Sequence, residues 1–235
     1  MNLPNPIVSI IIPAHNEAGN IAQVLKAIPS LVTEVVVVNN NSTDRTEEVA
    51  LRAGATVLSE KNKGYGYACL KGIAYLSNKE EIPDIVVFLD GDYSDYPEEM
   101  PLLVNPIIAG EADFVVGARI KKYREAGAMT FPQRFGNNLA TSLMRWMFGA
   151  RFTDLGPFRA IRFDVLQSLK MEDKTYGWTV EMQLKAVRQK VRYLEVPVHY
   201  RNRNAGTSKV SGTLKGAIFA GVKILGWIFK YSVKK

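Results

Sequence analysis

The stretch "DIVVFLDGDYSD", residues 84–95, decides the fold. Val86, Val87, Phe88 and Leu89 form an apolar run that reads as a buried strand. The run stops at Asp90-Gly91-Asp92, and Asp95, Glu98 and Glu99 follow. Carboxylates at the end of a buried strand lose hydration and repel one another, so the cluster needs an offset. Two aspartates on a short turn offer hard oxygen ligands to Mg²⁺ or Mn²⁺ and leave coordination positions for phosphate oxygens. Gly91 is expected to allow a tight turn between them. Asp90 and Asp92 carry the metal reading, with Asp95 as an assistant. Asp95, Glu98 and Glu99 also read as first-turn charges of a helix opened by Pro97. A solvated acidic loop is the alternative for an Asp-x-Asp alone, and the apolar strand ahead of it argues for the metal.

Outward from this strand the pattern repeats. "IVSIII" (7–12), "EVVVVN" (34–39), "ATVLSE" (55–60) and "ADFVVGAR" (112–119) are further strands. Between them, helices are expected from Asn16-Glu17, from Ser42 or Thr43, and after "NKGYG" at 62–66. Alternating strands and helices, with strands apolar throughout, predict an α/β fold: a mainly parallel, Rossmann-like sheet with helices on both faces. Ligands in such sheets sit at the carboxyl ends of strands. Those ends carry His15-Asn16-Glu17, Asn39-Asn40-Asn41, Asp90-Gly91-Asp92 and Arg119, which places the polar candidates on one rim.

The totals set bounds. A chain of 235 residues with 47% hydrophobic content suits one large α/β domain. A lone cysteine, Cys69, excludes a disulfide framework and points to a reducing compartment. The start "MNLPNPIVSIIIPAHNE" does not read as a signal peptide, and no uncharged run reaches the ~18–20 residues that span a bilayer. The net charge of +7 is local: after Glu195 there are eight basic residues and no acidic one, whereas the first 195 residues hold 22 basic and 23 acidic. That tail describes a surface for phosphates, anionic lipid or nucleic acid. Nucleic acid is not expected, since no recognition motif or aromatic–basic loop accompanies the charge.

In the second half, "FPQRFGNNLATSLMRWMFG" (131–149) reads as a helix with basic and apolar sides. Arg134 and Arg145 are eleven apart, about three turns, and share a face. A turn and short strand at 153–166, a helix at 177–189, a strand at 191–200 and a final helix at 213–231 follow. Lys215, Lys223 and Lys230 fall within roughly 80° on that last helix. With Trp227 and many aliphatic residues it reads as a basic amphipathic helix on a membrane surface. A core helix with snorkelling lysines is the alternative. The Gly64-x-Gly66 spacing after the third strand is not a dinucleotide fingerprint, although backbone contact with phosphate or base near Gly64 stays open. His15 and His199, far apart and without cysteine partners, do not make a zinc site.

Taken in order, "IIPAHNE", "VVVVNNNSTDRT", "NKGYGYACLKG" and "FLDGDYSD" resemble the nucleotide-sugar-binding half of family 2 glycosyltransferases. The pattern there is P-A-x-N-E, V-D-D/N-x-S-x-D-x-T, N-x-G-x-G and D-x-D. "GAR", "TDLGPFRAIR", "GWTVEMQLKAV" and "EVPVHYRNRNAGTSKVSGT" resemble the dolichyl- or polyprenyl-phosphate sugar synthase branch, mannosyl or glucosyl. The resemblance covers nearly the whole chain. It implies a single GT-A domain: a nucleotide-sugar half at 1–119, an acceptor half at 120–210 and the basic helix at 211–235. It implies inverting transfer of a hexose from UDP-glucose or GDP-mannose to a lipid phosphate, at the cytoplasmic face of a membrane. Pro13, Ala14, Glu17, Asn39, Asn40, Asp44, Lys63 and Gly64 match donor-binding positions. Asp90, Gly91 and Asp92 match the metal and diphosphate positions. Arg203, Ser208 and Lys209 match a loop that closes over the donor phosphates, and Arg119, Arg134 and Arg159 match the acceptor side. Two departures stand out: Asn39 replaces a usual aspartate, which leaves the base open, and Ser94 stands where mannosyl relatives often carry glutamine, which leaves the sugar open.

A phosphate acceptor is already an anion and needs positive charge, which arginine forks supply. A hydroxyl acceptor needs a general base, for which Asp154 and Glu181 are the candidates; with Asp92 of the metal pair they make up the catalytic set. Asp154 can instead be a turn residue, and a buried Glu181 can instead be paired. Arg124, Arg145 and Arg162 read as residues of ordinary solvated helix faces. Two other functions fit the same residues: transfer to a saccharide hydroxyl, and non-catalytic binding of a nucleotide sugar. A nucleotidyltransferase is disfavoured, because no G-x-G-T-R type loop follows the first strand.

Overall fold

The structure is a computed structural model that describes residues 6–205 and 214–233. The first half supplies β1 (Val8–Ala14), α1 (Ile21–Ala27), β2 (Glu34–Asn39), α2 (Thr46–Arg52), β3 (Thr56–Ser59), α3 (Tyr65–Ser77), β4 (Ile85–Phe88), α4 (Met100–Ile108) and β5 (Phe114–Ala118). The second half supplies α5 (Phe131–Phe148), β6 (Arg159–Arg162), α6 (Phe163–Leu169), α7 (Trp178–Arg188), β7 (Tyr193–Pro197) and α8 (Leu214–Val233).

The seven strands form one sheet in the order β3-β2-β1-β4-β6-β5-β7. Strands β1 to β4 pair in parallel, as do β5 and β7. β6 inserts between β4 and β5, antiparallel to both. Side chains on a strand alternate between faces, so each strand feeds two cores. Ile10 and Ile12 belong to the core shared with α1, α2 and α4, whereas Ile11 belongs to the core shared with α3 and α5 to α8. The expected mainly parallel sheet with helices on both faces is therefore the architecture, and β1, β2 and β4 deliver their carboxyl ends to one rim.

Two helix starts differ from expectation. α1 begins at Ile21 rather than Glu17, and α2 at Thr46 rather than Ser42 or Thr43. The polar residues read as caps knit two rim loops together instead, because side-chain oxygens compete with helix for backbone donors. Asn16, at φ 55, accepts from the Thr43 amide at 2.8 Å. Asp44 accepts from the amides of Thr46 (3.0 Å) and Ala18 (3.2 Å).

α5 is well bounded. Thr130 and Gln133 form a reciprocal capping box at its start, and Gly149 ends it at φ 66. α8 buries Trp227 and Ile228 and packs on α5 and α7. Two of the three lysines expected to form its basic stripe have acidic partners among the described residues. Lys223 pairs with Asp173 (3.5 Å) and Lys230 with Glu172 (3.3 Å), so both lie toward acidic groups of the same protein. Among the described residues, no helix is long and apolar enough to cross a membrane.

Candidate active site

The β4 strand ends in three carboxylates that the fold holds together. Asp92 accepts from the Ser94 amide (2.9 Å) on one oxygen and from Arg203 (2.7 Å) on the other. Asp90 has one buried oxygen, Oδ1, without a hydrogen-bond partner among the described residues. Burial, and then the charge of Asp92, raise the Asp90 carboxyl to about 7. Asp95 is 1% exposed and neither of its carboxylate oxygens has a partner among the described residues. Burial first, then Asp90 and Asp92, push it well above the ordinary range. Asp95 is therefore no helix-start charge, and the D-x-D-x-x-D spacing was the signal for it. Glu99 is not simply a helix-start charge either: it accepts from the His199 amide (2.8 Å) and pairs with the His199 ring.

The turn itself is not made by Gly91. A Cβ on Gly91 would meet only ordinary contacts at 3.5 Å, and the left-handed residue is Tyr93, at φ 62. A bulky residue in that region is strained and needs outside support. Arg201 supplies it. Its guanidinium lies 3.5 Å from the Tyr93 ring centroid and 3.9 Å from that of Tyr96, and it donates to the carbonyls of Tyr93 (2.7 Å) and Asp95 (3.1 Å). The chain after β7 thus straps across the acidic turn. Arg203, further along the strap, donates to Glu17 (2.6 Å) and Asp92 (2.7 Å) at once. Two separate donor-side candidates, from β1 and β4, meet on one guanidinium. Ser208 and Lys209 lie outside the described residues.

Around the first two strands, the amides of Asn39 and Asn40 organise loops. Asn39 donates to Glu47 (2.6 Å) and accepts from the Ser42 amide (3.2 Å). Asn40 donates to the Asn62 carbonyl (2.7 Å) and accepts from the Gly64 amide (2.8 Å). Burial would raise the Asp44 carboxyl, but its bonds from Thr46 and Ala18 hold it below the ordinary value. Pro13 and Ala14 end β1 beside this network, and Lys63 is exposed at its edge. The glycines of "NKGYG" have a packing reason. A Cβ on Gly64 would lie 2.2 Å from the Lys174 carbonyl oxygen, and one on Gly66 2.0 Å from that of Asp173. The Gly64 amide is engaged by Asn40, so this loop presents no free amide at that residue.

On the other side of the rim, Arg119 and Asp154 form a two-pronged pair, Nε to Oδ2 at 2.8 Å and Nη2 to Oδ1 at 2.7 Å. Burial would raise the Asp154 carboxyl, but Arg119 outweighs it and holds the group below the ordinary carboxylate range. The pair lines a cavity of about 300 Å³ with Lys121, Arg124, Arg134, Asn137 and Asn138. Arg124, read as solvated from sequence, is thus part of this wall. Its helical-face reading failed because it follows a short 3₁₀ turn, Lys121–Tyr123, rather than lying on a helix.

Two candidates are placed elsewhere. Arg159 is fully buried and clamps the turn after Asp154 by donating to the carbonyls of Gly156 (3.1 Å), Leu155 (3.2 Å) and Thr179 (3.2 Å). It does not line the cavity. Glu181 is also fully buried, with its oxygens taken by the amides of Glu172 (2.8 Å) and Asp173 (2.7 Å) and by Lys185 (2.7 Å). It is a paired structural carboxylate rather than a base.

Comparison with known proteins bears on this geometry. Residues 9–170 match the profile of Glycosyl transferase family 2. An uncharacterised glycosyltransferase of Mycobacterium tuberculosis is 34% identical over 91% of this chain and 94% of its own length. The undecaprenyl-phosphate mannosyltransferase of Micrococcus luteus is 32% identical over 92% of both chains. The crystal structure of glucosyl-3-phosphoglycerate synthase from M. tuberculosis with Mn²⁺, UDP and phosphoglyceric acid superposes with a TM-score of 0.77. It covers 97% of this chain and 79% of that one at 22% identity, a likeness of fold. With its sheet, its acidic strand end and these matches, the chain belongs to glycosyl transferase family 2.

Proposed function

We propose that this glycosyltransferase moves a hexose from a nucleoside diphosphate sugar, UDP-glucose or GDP-mannose, to a polyprenyl or dolichyl phosphate, with inversion, at the cytoplasmic face of a membrane. The observation that carries the acceptor is the cavity beside the acidic turn. Arg119, Lys121, Arg124 and Arg134 face it, and its one carboxylate, Asp154, is already neutralised by Arg119. A hydroxyl there would find no free base among the lining residues. A phosphate needs none, because its oxygen is an anion that attacks the anomeric carbon as the nucleoside diphosphate leaves. The guanidinium forks hold that oxygen in line and offset its charge. The name of the Micrococcus relative supports a lipid phosphate, and a phosphoglyceric acid held by the structural neighbour supports an anionic acceptor more generally.

The donor side fits a divalent cation, Mg²⁺ or Mn²⁺. Asp90 keeps a buried oxygen without a partner next to a second carboxylate, a pair that a hard cation stabilises. Among the described residues no three Asp, Glu, His or Cys side chains close around a metal, so the ligand would complete the shell. When bound, such an ion supplies positive charge to the departing diphosphate. Asp90 and Asp92 would hold it. Glu17 and the Asn39–Asn40 loops would bind base and ribose, and Arg203, with Ser208 and Lys209, would cover the phosphates.

The test is transfer to polyprenyl phosphate by Arg134→Ala. Arg134 faces the cavity without an acidic partner among the described residues, so its loss should raise the acceptor KM by about 10-fold or more, with donor KM unchanged. Asp95, the one carboxylate of the turn with both oxygens unengaged, favours a second reading, a saccharide hydroxyl acceptor. That reading predicts the reverse pattern: a steep loss of kcat in Asp95→Asn and little effect of Arg134→Ala.

A further inference from the structure

α5 turns a stripe of large apolar side chains into solvent. Phe131 is 71% exposed, Phe135 60%, Leu139 38% and Trp146 82%. At about 100° per residue these positions fall within roughly 80° of one another, so they form one face. Phe131 and Phe135 stack on each other, with ring centroids 6.4 Å apart, rather than on the protein. The opposite side of the same helix is an ordinary core face, with Ala140 and Met144 buried. A contiguous stripe of this kind on a folded protein marks a contact with something else.

The charge around the stripe says what. Arg134 and Arg145 run along one edge of it, and residues 126–153 hold three arginines and no acidic residue. Neither Arg134 nor Arg145 has an ion-pair partner among the described residues. The edge that carries Arg134 also carries Asn137 and Asn138, and these three line the cationic cavity. The helix therefore has a phosphate-binding side and, directly next to it, an apolar side. α8 packs alongside α5 and leaves Phe219 (54%), Val222 (65%) and Phe229 (54%) exposed as well.

We propose that the Phe131–Phe135–Leu139–Trp146 face of α5 is the surface by which the protein docks on an anionic lipid leaflet. Its aromatic and aliphatic side chains enter the headgroup boundary, and Arg134 and Arg145 stay at headgroup level. This orientation brings the mouth of the cavity to the plane in which a lipid-linked phosphate lies. It rests on the lipid-phosphate reading for its biological purpose, but the binding itself needs neither donor nor acceptor. It also moves the docking element from the lysines of α8, two of which are held by Asp173 and Glu172, to α5.

The test is flotation of the full chain with vesicles of phosphatidylcholine alone and of phosphatidylcholine with phosphatidylglycerol. Wild type should float with the anionic vesicles. F131S/F135S/W146S should lose at least about tenfold in partition, and R145Q should lose binding that added salt also removes. The same thermal melting and nucleotide binding in the variants would show that the fold is intact. Failure of wild type to float, equal flotation with neutral vesicles, or undiminished flotation of the triple variant would overturn the assignment. So would light scattering that shows a dimer dissolved by the triple substitution without any vesicle binding, which would make the stripe a self-association face. Turnover of a water-soluble short-chain prenyl phosphate, followed separately, tests the transferase reading. Flotation without such turnover refutes that reading alone, and turnover without flotation refutes the docking face alone.

Discussion

Asp92→Ala should lower hexose transfer from a nucleotide sugar by on the order of a thousandfold, the loss expected when a preorganised electrostatic contact to the reacting phosphate is deleted. The side chain is 13% exposed and its two oxygens already organise the site: one receives the Ser94 amide and the other Arg203. Its loss removes half of the proposed cation site and releases Arg203 from one of its two anchors. The fold should persist, because deletion also removes a charge that opposes ionisation of Asp90 and Asp95. Thermal melting should therefore stay near wild type or rise while turnover falls. Glu98→Ala, at an exposed position on the same segment, should leave transfer unchanged. Near-normal turnover in Asp92→Ala, or equal loss in both variants, would refute the role given to the acidic turn.

Arg119→Met should cost about 3–5 kcal/mol of folding stability at neutral pH, since it strands a buried carboxylate. The two side chains are 11% and 7% exposed, so solvent screens them little. In the wild type Arg119 keeps the folded-state value of Asp154 below its unfolded one. The stabilisation from the pair is thus complete at neutral pH and disappears only as pH falls through that depressed value. In Arg119→Met, burial is opposed only by the residue-119 amide and the charge of Arg159, and the carboxyl rises. The sign then reverses: the folded state binds the proton more tightly, and stability declines as pH rises above the ordinary carboxylate range. Urea denaturation of both proteins at pH 5 and pH 8 should show a larger deficit at pH 8. Arg119→Met/Asp154→Leu should recover much of the loss. A deficit of the same size at both pH values would point to lost packing against Tyr200, whose ring lies 5.1 Å from the guanidinium.

What the sequence revealed depended on the range of the interaction. The strands β1, β2, β4 and β5 were legible because each is apolar throughout, and their polar ends predicted a shared rim. The insertion of β6 between β4 and β5 was not legible, since a buried strand reads the same beside any neighbour. Local chemistry misled where a polar residue had a distant partner. Asn16, Ser42 and Thr43 looked like helix starts, yet the bonds among them join the β1 loop to the β2 loop. Gly91 looked like the turn residue, but Tyr93 takes the left-handed conformation because Arg201, far along the chain, stacks on it. Glu181 carried a sound either-or, paired or functional, that only the positions of Lys185 and the 172–173 amides resolve. The arginines were the least legible of all. Arg159 and Arg124 exchange their expected places, one buried under the Asp154 turn and the other on the cavity wall, because nothing in an arginine's neighbours tells where its long side chain ends.

The most direct test combines purified protein with UDP-glucose or GDP-mannose, Mn²⁺ and a polyprenyl phosphate, and follows formation of the glycosyl phospholipid by chromatography and mass spectrometry. The account predicts a monoglycosylated lipid phosphate with inverted anomeric configuration, formed with one of the two donors and lost on chelation of the metal. Donor binding with no lipid product, a product formed equally well without a divalent ion, or transfer to a saccharide hydroxyl in preference to the lipid phosphate would contradict it.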